Sequence, residues 1–309
     1  MVVHIVVVQV LTALVALGAV IFAFTPPGRQ LFSRRFRGGN RLRLLMIGLG
    51  IAVIIMEILE IIYHHHHLLV FAAEVGKLAV VLFVGLLLLR QRILPPGSLG
   101  RPQTVLAIGA HPDDLELACS GTLVKLADEG AAVHVLVLTD GCRGGDSELR
   151  PEEARRGALF MNVASLTQHT FTDTRLAEES VELVAAIEER IEALRPDLIL
   201  THSPNDQHQD HQAVHEATLR AARRHPSILC YESPSATRAF NPSFFVDISD
   251  YLDAKVFAVA THRDQTGKPY MQGHKLKGMA VFRGSQAKVD HAEGFEVVRL
   301  LDRSLGGAA

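Results

Sequence analysis

Two short segments of the chain concentrate the side chains that bind metal ions or move protons. Residues 110–116 read Ala-His-Pro-Asp-Asp-Leu-Glu, and residues 202–211 hold three histidines and two aspartates. Imidazole and carboxylate suit zinc where thiolate ligands are absent. The three cysteines, Cys119, Cys142 and Cys230, lie far apart and form no Cys-x-x-Cys pair, so a thiolate site is not indicated. The two segments predict a metal site built from histidine and aspartate.

The elements predicted around these segments explain how they could meet. Residues 103–109 and 197–201 are apolar runs typical of buried strands, and each runs directly into one of the two segments. Further strands and helices alternate along the chain, with strands at 133–138 and 227–231 and helices at 115–129, 151–161, 178–194 and about 209–224. Alternation of this kind indicates parallel βαβ units. We predict an α/β fold, a Rossmann-like open and mostly parallel sheet flanked by helices, with ligands bound beyond the carboxyl ends of the strands.

Each segment taken alone also has an ordinary structural explanation. Proline and aspartate favour turns, so His-Pro-Asp-Asp is typical of a capped turn as well. Placement of both segments after strands of one sheet favours the metal site. A catalytic zinc takes three protein ligands and leaves one position for water, whose pKa it lowers to about 7, and a further carboxylate can then deprotonate that water.

Three apolar runs precede this region, and each approaches the ~20 residues that a helix needs to cross a bilayer. They predict transmembrane helices at about 2–24, 42–62 and 68–89. Arginines without acidic neighbours follow the first and third runs, and the positive-inside rule places such segments in the cytoplasm. The sequence predicts a multi-pass integral membrane protein, in contact with membrane lipid, whose catalytic domain faces the cytoplasm.

Composition divides the chain into a membrane region at 1–94, a linker rich in proline and glycine at 95–102, and a polar domain at 103–309. The first 94 residues hold nine basic and three acidic side chains, and the whole chain carries a formal net charge of −2, so residues 95–309 carry −8. A domain this acidic gains nothing from neutralising phosphates. Nucleic acid is therefore excluded as a partner.

Ionisable side chains also occur inside the apolar runs, where they are costly and normally face protein or water. Glu57 and Glu74 would lie at similar depth in a helical hairpin that turns near 63–67, with Lys77 one turn deeper and Glu60 nearby. They predict either a structural ion pair that holds the hairpin together or a polar pocket for a lipid-linked head group. The four histidines at 64–67 are interpreted as a solvated turn.

The two segments resemble the hallmarks of the LmbE/PIG-L superfamily of zinc-dependent de-N-acetylases. Residues 110–116 match the family's Ala-His-Pro-Asp-Asp-x-Glu, and residues 208–211 match its His-x-Asp-His, with Gln209 where proline is usual. The resemblance continues over most of 103–301, including Arg150-x-x-Glu153 and the stretch 292–295. Asp264 departs from the serine that is usual at its position.

The resemblance implies a role for each matching residue. It assigns zinc to three ligands, His111, Asp114 and His211. The resemblance implies that Asp113 is the general base and that His208 donates a hydrogen bond to the developing oxyanion. It implies that Asp210 orients a histidine. Arg150 and Asp173 become candidate contacts to sugar hydroxyls.

The activity implied is zinc-dependent hydrolysis of an N-acetyl group on an N-acetylglucosamine-type substrate, an amino sugar or a glycolipid, with a lipid-linked form suggested by the membrane region. Two alternatives stay open on the sequence. One is a zinc amidase of a larger thiol- or acyl-conjugate, and the other is a non-catalytic, metal-binding membrane scaffold.

Five neighbouring side chains have less specific interpretations. Glu116 is interpreted as a buried acceptor or a charge at a helix N-terminus, and Asp206 as a helix cap. His215 is interpreted as a residue of the helix surface or next to the ligands. His202 fits core packing and the wall of a pocket equally well. Arg150 has the alternative of a simple pair with Glu153.

Overall fold

The structure, a computed structural model, describes residues 2–63, 67–93 and 103–301. The chain divides into two compact units, Met1–Leu94 and Pro95–Ala309, and each is described by itself. The predicted linker at 95–102 lies outside the described residues, as do three of the four consecutive histidines, 64–66.

The first unit consists of four helices: α1 (Val2–Phe24), α2 (Pro26–Arg35), α3 (Gly39–Ile62) and α4 (His67–Gln91). Two helices, Gly39–Ile62 and Val70–Gln91, are long and apolar enough to cross a membrane. Helices α1 and α2 are bent by 79° against each other and add a third span only if the bent pair counts as one. The second and third predicted runs therefore correspond to helices that are long and apolar enough to cross a membrane, and the first run corresponds to the 23-residue helix α1, which bends into α2. That these helices cross a membrane stays a prediction.

The bend between α1 and α2 has a local cause that the apolar pattern does not reveal. Thr25 separates the two helices, and its hydroxyl accepts the N–H of Gly28, as a capping residue does. Pro26 occupies the first position of α2, where its missing N–H costs no hydrogen bond. A new helix therefore starts at this point instead of a loop.

A cluster of charged groups, buried except for Glu74, joins helices of the first unit. The Lys77 ammonium donates to Glu57 and Glu60 of α3, both at 3.0 Å, and to Glu74 of its own helix at 2.9 Å. Glu60 also accepts the side-chain amide of Gln9 in α1 at 2.9 Å. The predicted ion pair between the two hairpin helices is thus present, and it extends to α1.

The second unit contains a seven-stranded sheet in the order β3-β2-β1-β4-β5-β7-β6. Its strands are β1 (Thr104–Gly109), β2 (Ala132–Thr139), β3 (Ser165–Phe171), β4 (Leu198–His202), β5 (Ile228–Tyr231), β6 (Phe244–Asp247) and β7 (Ala292–Arg299). The first five strands in this order are parallel, and β7 runs antiparallel to both of its neighbours. The prediction of an open, mostly parallel α/β sheet is confirmed.

Six helices accompany this sheet: α5 (Asp114–Asp128), α6 (Leu149–Met161), α7 (Ser180–Leu194), α8 (Gln209–Ala221), α9 (Leu252–Val259) and α10 (Gly273–Ala287). Leu106 and Ile108 of β1 pack with buried apolar side chains of α7 and α8. Val105 and Ala107 alternate with them along the strand and are fully buried as well. Because successive side chains of a strand point to opposite faces, both faces of the sheet are covered.

The strand order places the two chemistry-bearing segments side by side. Strand β1 pairs with β2 on one side and with β4 on the other, so Ala107 lies between Val135 and Leu200. The chain order therefore reverses between β1 and β4. Such a reversal opens a crevice at the carboxyl ends of the strands, which is where ligands bind in sheets of this type.

Candidate functional site

The site forms where β1 and β4 end. The chain leaves β1 through residues 110–113 and enters α5 at Asp114, and it leaves β4 through residues 203–208 and enters α8 just before His211. His208 is the N-terminal cap of α8, and its ring Nδ1 accepts the backbone N–H of Asp210 at 3.2 Å. Asp114 and His211 thus lie in the first turn of a helix, which fixes their direction, whereas His111 and His208 lie just before the two helices.

His111, Asp114 and His211 come together as a candidate metal site. Each offers one ligand atom, and these atoms all lie within 4.8 Å of one another. His211 Nε2 is 3.3 Å from Asp114 Oδ1, and His111 Nδ1 is 3.5 Å from Asp114 Oδ2. All three side chains are buried. The three residues predicted as ligands are therefore close enough to hold one ion. The same holds in the described residues for three other sets, His111-His208-Asp210, His202-Asp206-His211 and Asp140-Cys142-Asp173.

The outward nitrogen of His111 is held by carboxylates. His111 Nε2 lies 3.1 Å from Asp210 Oδ2 and 3.2 Å from Asp173 Oδ1. Ionised carboxylates only accept hydrogen bonds, so Nε2 carries the proton and the lone pair of a neutral ring lies on Nδ1, the atom nearest Asp114. Asp210 is itself fixed, because its oxygens accept the backbone N–H groups of Thr174 at 2.7 Å and Leu176 at 3.2 Å.

His211 has the same arrangement with a different carboxylate. Its Nδ1 is 2.9 Å from Asp206 Oδ2, which leaves Nε2 facing Asp114. Asp206 is held in turn by the hydroxyls of Ser233 and Ser235. A carboxylate behind each histidine is the usual support of a protein metal ligand. The donor set therefore fits a divalent metal ion.

The charges in this cluster favour protonated histidines beside an ionised Asp114. Burial disfavours protonated rings, but the surrounding carboxylates outweigh it, so the pKa of His111 is held well above its usual value and that of His211 is raised to about 9. Burial alone would raise the pKa of Asp114, yet His211 and the other histidines hold it well below its usual range. A buried cluster that holds positive charge in this way is suited to exchange its protons for a metal cation.

Asp113 stands beside the candidate ligands in an unusual conformation. Its backbone φ of 123° lies in the region that non-glycine residues rarely adopt. Burial raises the pKa of Asp113 to about 6, although the Arg150 guanidinium, whose Nη2 donates to Asp113 Oδ1 at 3.1 Å, draws it downward. A buried carboxylate with a pKa near neutrality, next to a metal site, is suited to take and release a proton.

Arg150 holds this corner of the site rather than pairing with Glu153. Besides Asp113, its guanidinium donates to the carbonyl oxygens of Gly141 at 2.5 Å and Pro112 at 2.9 Å. Gly141 has a φ of 69°, and a Cβ there would come within 2.3 Å of Arg150 Nη1, so this turn requires glycine. Glu153 instead lies 3.5 Å from Arg156.

His208 reaches the site from the rim. Its ring stacks on that of His211 with centroids 4.5 Å apart and meets that of His111 edge-on at 4.8 Å. Burial and the two neighbouring histidines lower its pKa, which favours the neutral ring. Since Nδ1 accepts a backbone N–H, the proton of the neutral ring lies on Nε2 and makes it a hydrogen-bond donor.

Three neighbouring residues are positioned as follows. His202 lines the site as a neutral ring, because burial lowers its pKa to about 4. Its Nε2 accepts the backbone N–H of Ala110. The 3.2 Å distance between His202 Nε2 and Asp114 Oδ2 is therefore not an ion pair. His215 bonds to the carbonyl oxygen of His202, away from the ligand group. Glu116 is buried beside His262 at 3.3 Å.

Asp206 is the functional residue that the sequence did not single out. As a cap it would only serve the helix start, and it does accept the N–H of His208 at 2.9 Å. Asp206 contacts His211, five residues later, because the loop between β4 and α8 folds back on itself. No local sequence pattern predicts this contact. The presence of a second carboxylate in residues 202–211 was the one available signal.

Helix α5, which carries Asp114, is broken at Cys119, whose φ of −139° and ψ of 16° are not helical. The groups freed by this break are bonded by two side chains from elsewhere. The Lys255 ammonium donates to the Ala118 carbonyl oxygen at 3.0 Å, and the Glu293 carboxylate accepts the N–H groups of residues 121–122 at 3.1 and 2.7 Å. Lys255 and Glu293 lie 2.6 Å apart. They therefore fix the angle of the first turn of α5.

We expect Glu293→Gln and Lys255→Met to weaken metal binding by about 10- to 100-fold, the usual cost of losing support behind a ligand. Each variant leaves polar groups at the break without a partner, so Asp114 loses its fixed position. Competition with a fluorescent chelator measures the affinity. Lys125→Met is the matched control, because Lys125 lies on the exposed side of α5. Unchanged affinity in both variants would contradict this role.

Comparison with known proteins connects this geometry to a family. Residues 106–222 match the family described as PIG-L, GlcNAc-PI de-N-acetylase. The chain is 35% identical over 173 residues to the uncharacterized deacetylase YaiS of Escherichia coli, covering 54% of this chain and 94% of the relative. It is 32% identical over 230 residues to the diacetylchitobiose deacetylase of Thermococcus kodakarensis, covering 63% and 82%.

A solved structure agrees with the fold. The conserved protein TT1542 from Thermus thermophilus superposes with a TM-score of 0.57 at 28% identity, over 67% of this chain and 100% of that chain. The family match at 106–222 contains the candidate ligands together with Asp113 and His208. The residues assembled at the ends of β1 and β4 are thus within the part of the chain that its relatives share.

Proposed function

The chain belongs to the PIG-L family of GlcNAc-PI de-N-acetylases, and on this premise we propose that it is a zinc-dependent hydrolase that removes the acetyl group from an N-acetylglucosamine-type substrate. The observation that carries the proposal is the group His111, Asp114 and His211, with ligand atoms within 4.8 Å, beside the buried carboxylate of Asp113. Two imidazoles and one carboxylate form a ligand set that catalytic zinc uses. The two sequence relatives described above, from Escherichia coli and Thermococcus kodakarensis, are named as deacetylases, which act on amide bonds.

In this proposal His111 Nδ1, one oxygen of Asp114 and His211 Nε2 hold the metal. When bound, the ion supplies a Lewis acid that polarises the amide carbonyl and makes water more acidic. Asp113 takes the proton from the attacking water and then returns it to the nitrogen of the leaving amine. His208 donates its Nε2–H to the oxygen that becomes negative in the transition state. Acetate and the free amino sugar are the products.

The two residues that are predicted to contact sugar hydroxyls, Asp173 and Arg150, contact other protein groups in the structure. Asp173 uses one oxygen for His111 and the other for the N–H of Arg143 at 2.7 Å. Arg150 is 3% exposed and donates to Asp113. These contacts favour positioning of His111 and of Asp113 over direct contact with sugar hydroxyls. The 3.1 Å contact between Asp210 and His111 supports Asp210 as the residue that orients this histidine.

We also propose that the substrate is lipid-linked and that the site faces the cytoplasm. Two helices of sufficient length and apolarity support a membrane location. The arginines after the first and third apolar runs support the orientation. An alkaline phosphatase or green fluorescent protein fusion after residue 309 reports the side of the membrane, and active phosphatase there would overturn the orientation.

The experiment that tests the activity is a measurement of acetate release by the full-length protein loaded with zinc. The substrates are N-acetylglucosamine conjugates with soluble and lipid aglycones, and the product amine is identified by mass spectrometry. We expect release from at least one conjugate. If no conjugate yields acetate, the proposed reaction is wrong.

We expect turnover to fall as the pH falls through the pKa of Asp113, because only the ionised carboxylate can take a proton. Burial sets that pKa at about 6 without metal, and a bound cation lowers it, so the acid limb should have its midpoint at or below about pH 6. Arg150→Gln removes a charge that lowers this pKa and should move the limb to higher pH. The exposed Arg155→Gln on the same helix is the control. A limb that does not move in Arg150→Gln would exclude Asp113 as its source.

A further inference from the structure

The second unit contains a cavity of about 370 Å³ that lies outside the candidate metal site. It is bounded by α5, α10 and the start of β7, and most of its lining is apolar. The apolar lining includes Leu117, Pro234, Tyr270, Leu276 and Met279. Its volume is within the range of roughly 300–1,000 Å³ that small-molecule sites occupy.

The cavity begins within one helical turn of the proposed reacting centre. Leu117 lies in the first turn of α5, three residues after Asp114. Ser233 lines the cavity on another side, and its hydroxyl donates to Asp206, the carboxylate that holds His211. A ligand bound in the cavity would therefore extend directly from the amide that is cleaved.

Four of the five charged groups of the lining are paired with each other, and the fifth, Lys275, is exposed. Lys255 and Glu293 form an ion pair at 2.6 Å. Arg283 donates to both oxygens of Glu232, at 2.8 and 2.6 Å. Because these four groups neutralise each other, they attract a charged ligand only weakly.

The surface that the cavity offers is apolar and partly open. Met279 is 49% exposed and Tyr270 is 36% exposed, although both side chains are large and hydrophobic. Apolar surface of this kind beside a reaction site is characteristic of a ligand-binding groove. The lining therefore selects for a hydrocarbon group.

We propose that this cavity binds an aliphatic chain that the substrate carries next to the scissile amide. The inference rests on the proposed function and adds to it the place where an aliphatic chain of an amphipathic amino sugar would bind. A dry cavity of about 150 Å³ accepts benzene, so 370 Å³ accommodates a chain of roughly eight carbons or more. The chain has two chemical sources, the aglycone of the sugar or an N-acyl group longer than acetyl.

The test compares short and long substrates in both arms with the full-length, zinc-loaded protein in nanodiscs. The aglycone arm uses the methyl and octyl glycosides of N-acetylglucosamine, and the acyl arm uses N-acetyl- and N-octanoylglucosamine. We expect kcat/KM for the octyl or octanoyl compound to exceed that of its short partner at least about tenfold in one arm, because burial of each methylene is favourable. The arm that responds identifies the source of the chain.

Variants separate binding in the cavity from partition into the lipid. Met279→Glu and the neutral Met279→Gln place polar groups in the lining and should bring the ratio of long to short substrate close to one. Continued turnover of the short substrate shows that each variant is folded. Val281→Glu is the matched control, since Val281 lies on the same helix, is 47% exposed and does not line the cavity. It should keep the wild-type ratio.

The outcomes distinguish this inference from the function on which it rests. If the wild-type protein hydrolyses short and long substrates equally well, the cavity does not bind the chain, while the proposed function stands. A preference that both Met279 variants retain at the level of Val281→Glu overturns the inference as well, because partition into the nanodisc explains it. No turnover of any substrate rejects the proposed function.

Discussion

Replacement of Asp113 by asparagine is expected to lower kcat about 100- to 10,000-fold while one metal ion stays bound. General-base catalysis contributes about 10²- to 10⁴-fold. Asp113 is a buried carboxylate beside the candidate ligands that is neither one of them nor bonded to their histidines, as Asp173, Asp206 and Asp210 are. Asparagine is the better probe than alanine, because it tolerates a positive φ more readily and the backbone here has a φ of 123°. Acetate release gives kcat, and plasma mass spectrometry gives the metal content.

The exposed Asp290→Asn is the control for this experiment and should retain wild-type turnover. Two results would contradict the role of Asp113. One is a kcat within tenfold of wild type. The other is loss of the metal together with the activity, which would make Asp113 a part of the binding site rather than the base.

Removal of the metal is expected to abolish turnover and to lower the stability of the second unit. A ligand at 1,000 times its Kd stabilises the folded state by about 4 kcal/mol. For a unit of this size each kcal/mol shifts the midpoint of thermal unfolding by roughly 2–4 °C, so zinc should raise it by roughly 8–16 °C. Dialysis against a chelator, followed by one equivalent of zinc, should abolish and then restore acetate release. Scanning calorimetry measures the shift.

The affinity for zinc should also depend on pH with a definite sign. The metal binds the unprotonated rings, whereas Asp114 and Asp206 raise the pKa of His211 to about 9 in the metal-free protein despite its burial. Protons therefore compete with zinc below about pH 9, and the affinity should rise as the pH increases towards that value. His211→Ala should lose the metal, and the exposed His274→Ala should keep it. A metal-free protein that stays fully active would reject the site.

The centre of the site was accessible from the sequence because its residues follow directly from local order. His111 and Asp114 come just after β1, and His211 lies in the first turn of α8, the helix that follows β4. A correct strand assignment was therefore enough to bring the three residues together. The same assignment predicted the parallel part of the sheet. Strand β3 was not predicted, because its sequence from Ser165 to Phe171 is largely polar and only partly buried at the sheet edge.

Local sequence patterns do not predict contacts between residues that are far apart along the chain. Lys255 and Glu293 are far from Cys119 along the chain, and neither residue carries a pattern that indicates a broken helix. The antiparallel strands β6 and β7 close the sheet on the side of the cavity, and nothing in their composition indicates that they do so. The turn at Thr25 was hidden by the apolar run before it and the arginines after it. Packing of distant segments decides all three features.

For the membrane location proposed above, the ion cluster around Lys77 sets a condition on how the first unit enters the bilayer during synthesis. An unpaired charged side chain within a spanning helix is costly unless it faces protein or water. Helix α3 carries Glu57 and Glu60, and the lysine that neutralises them emerges from the ribosome only later, in α4. We therefore expect the insertion machinery to retain α3 until α4 has been made and to release both helices into the lipid as a hairpin.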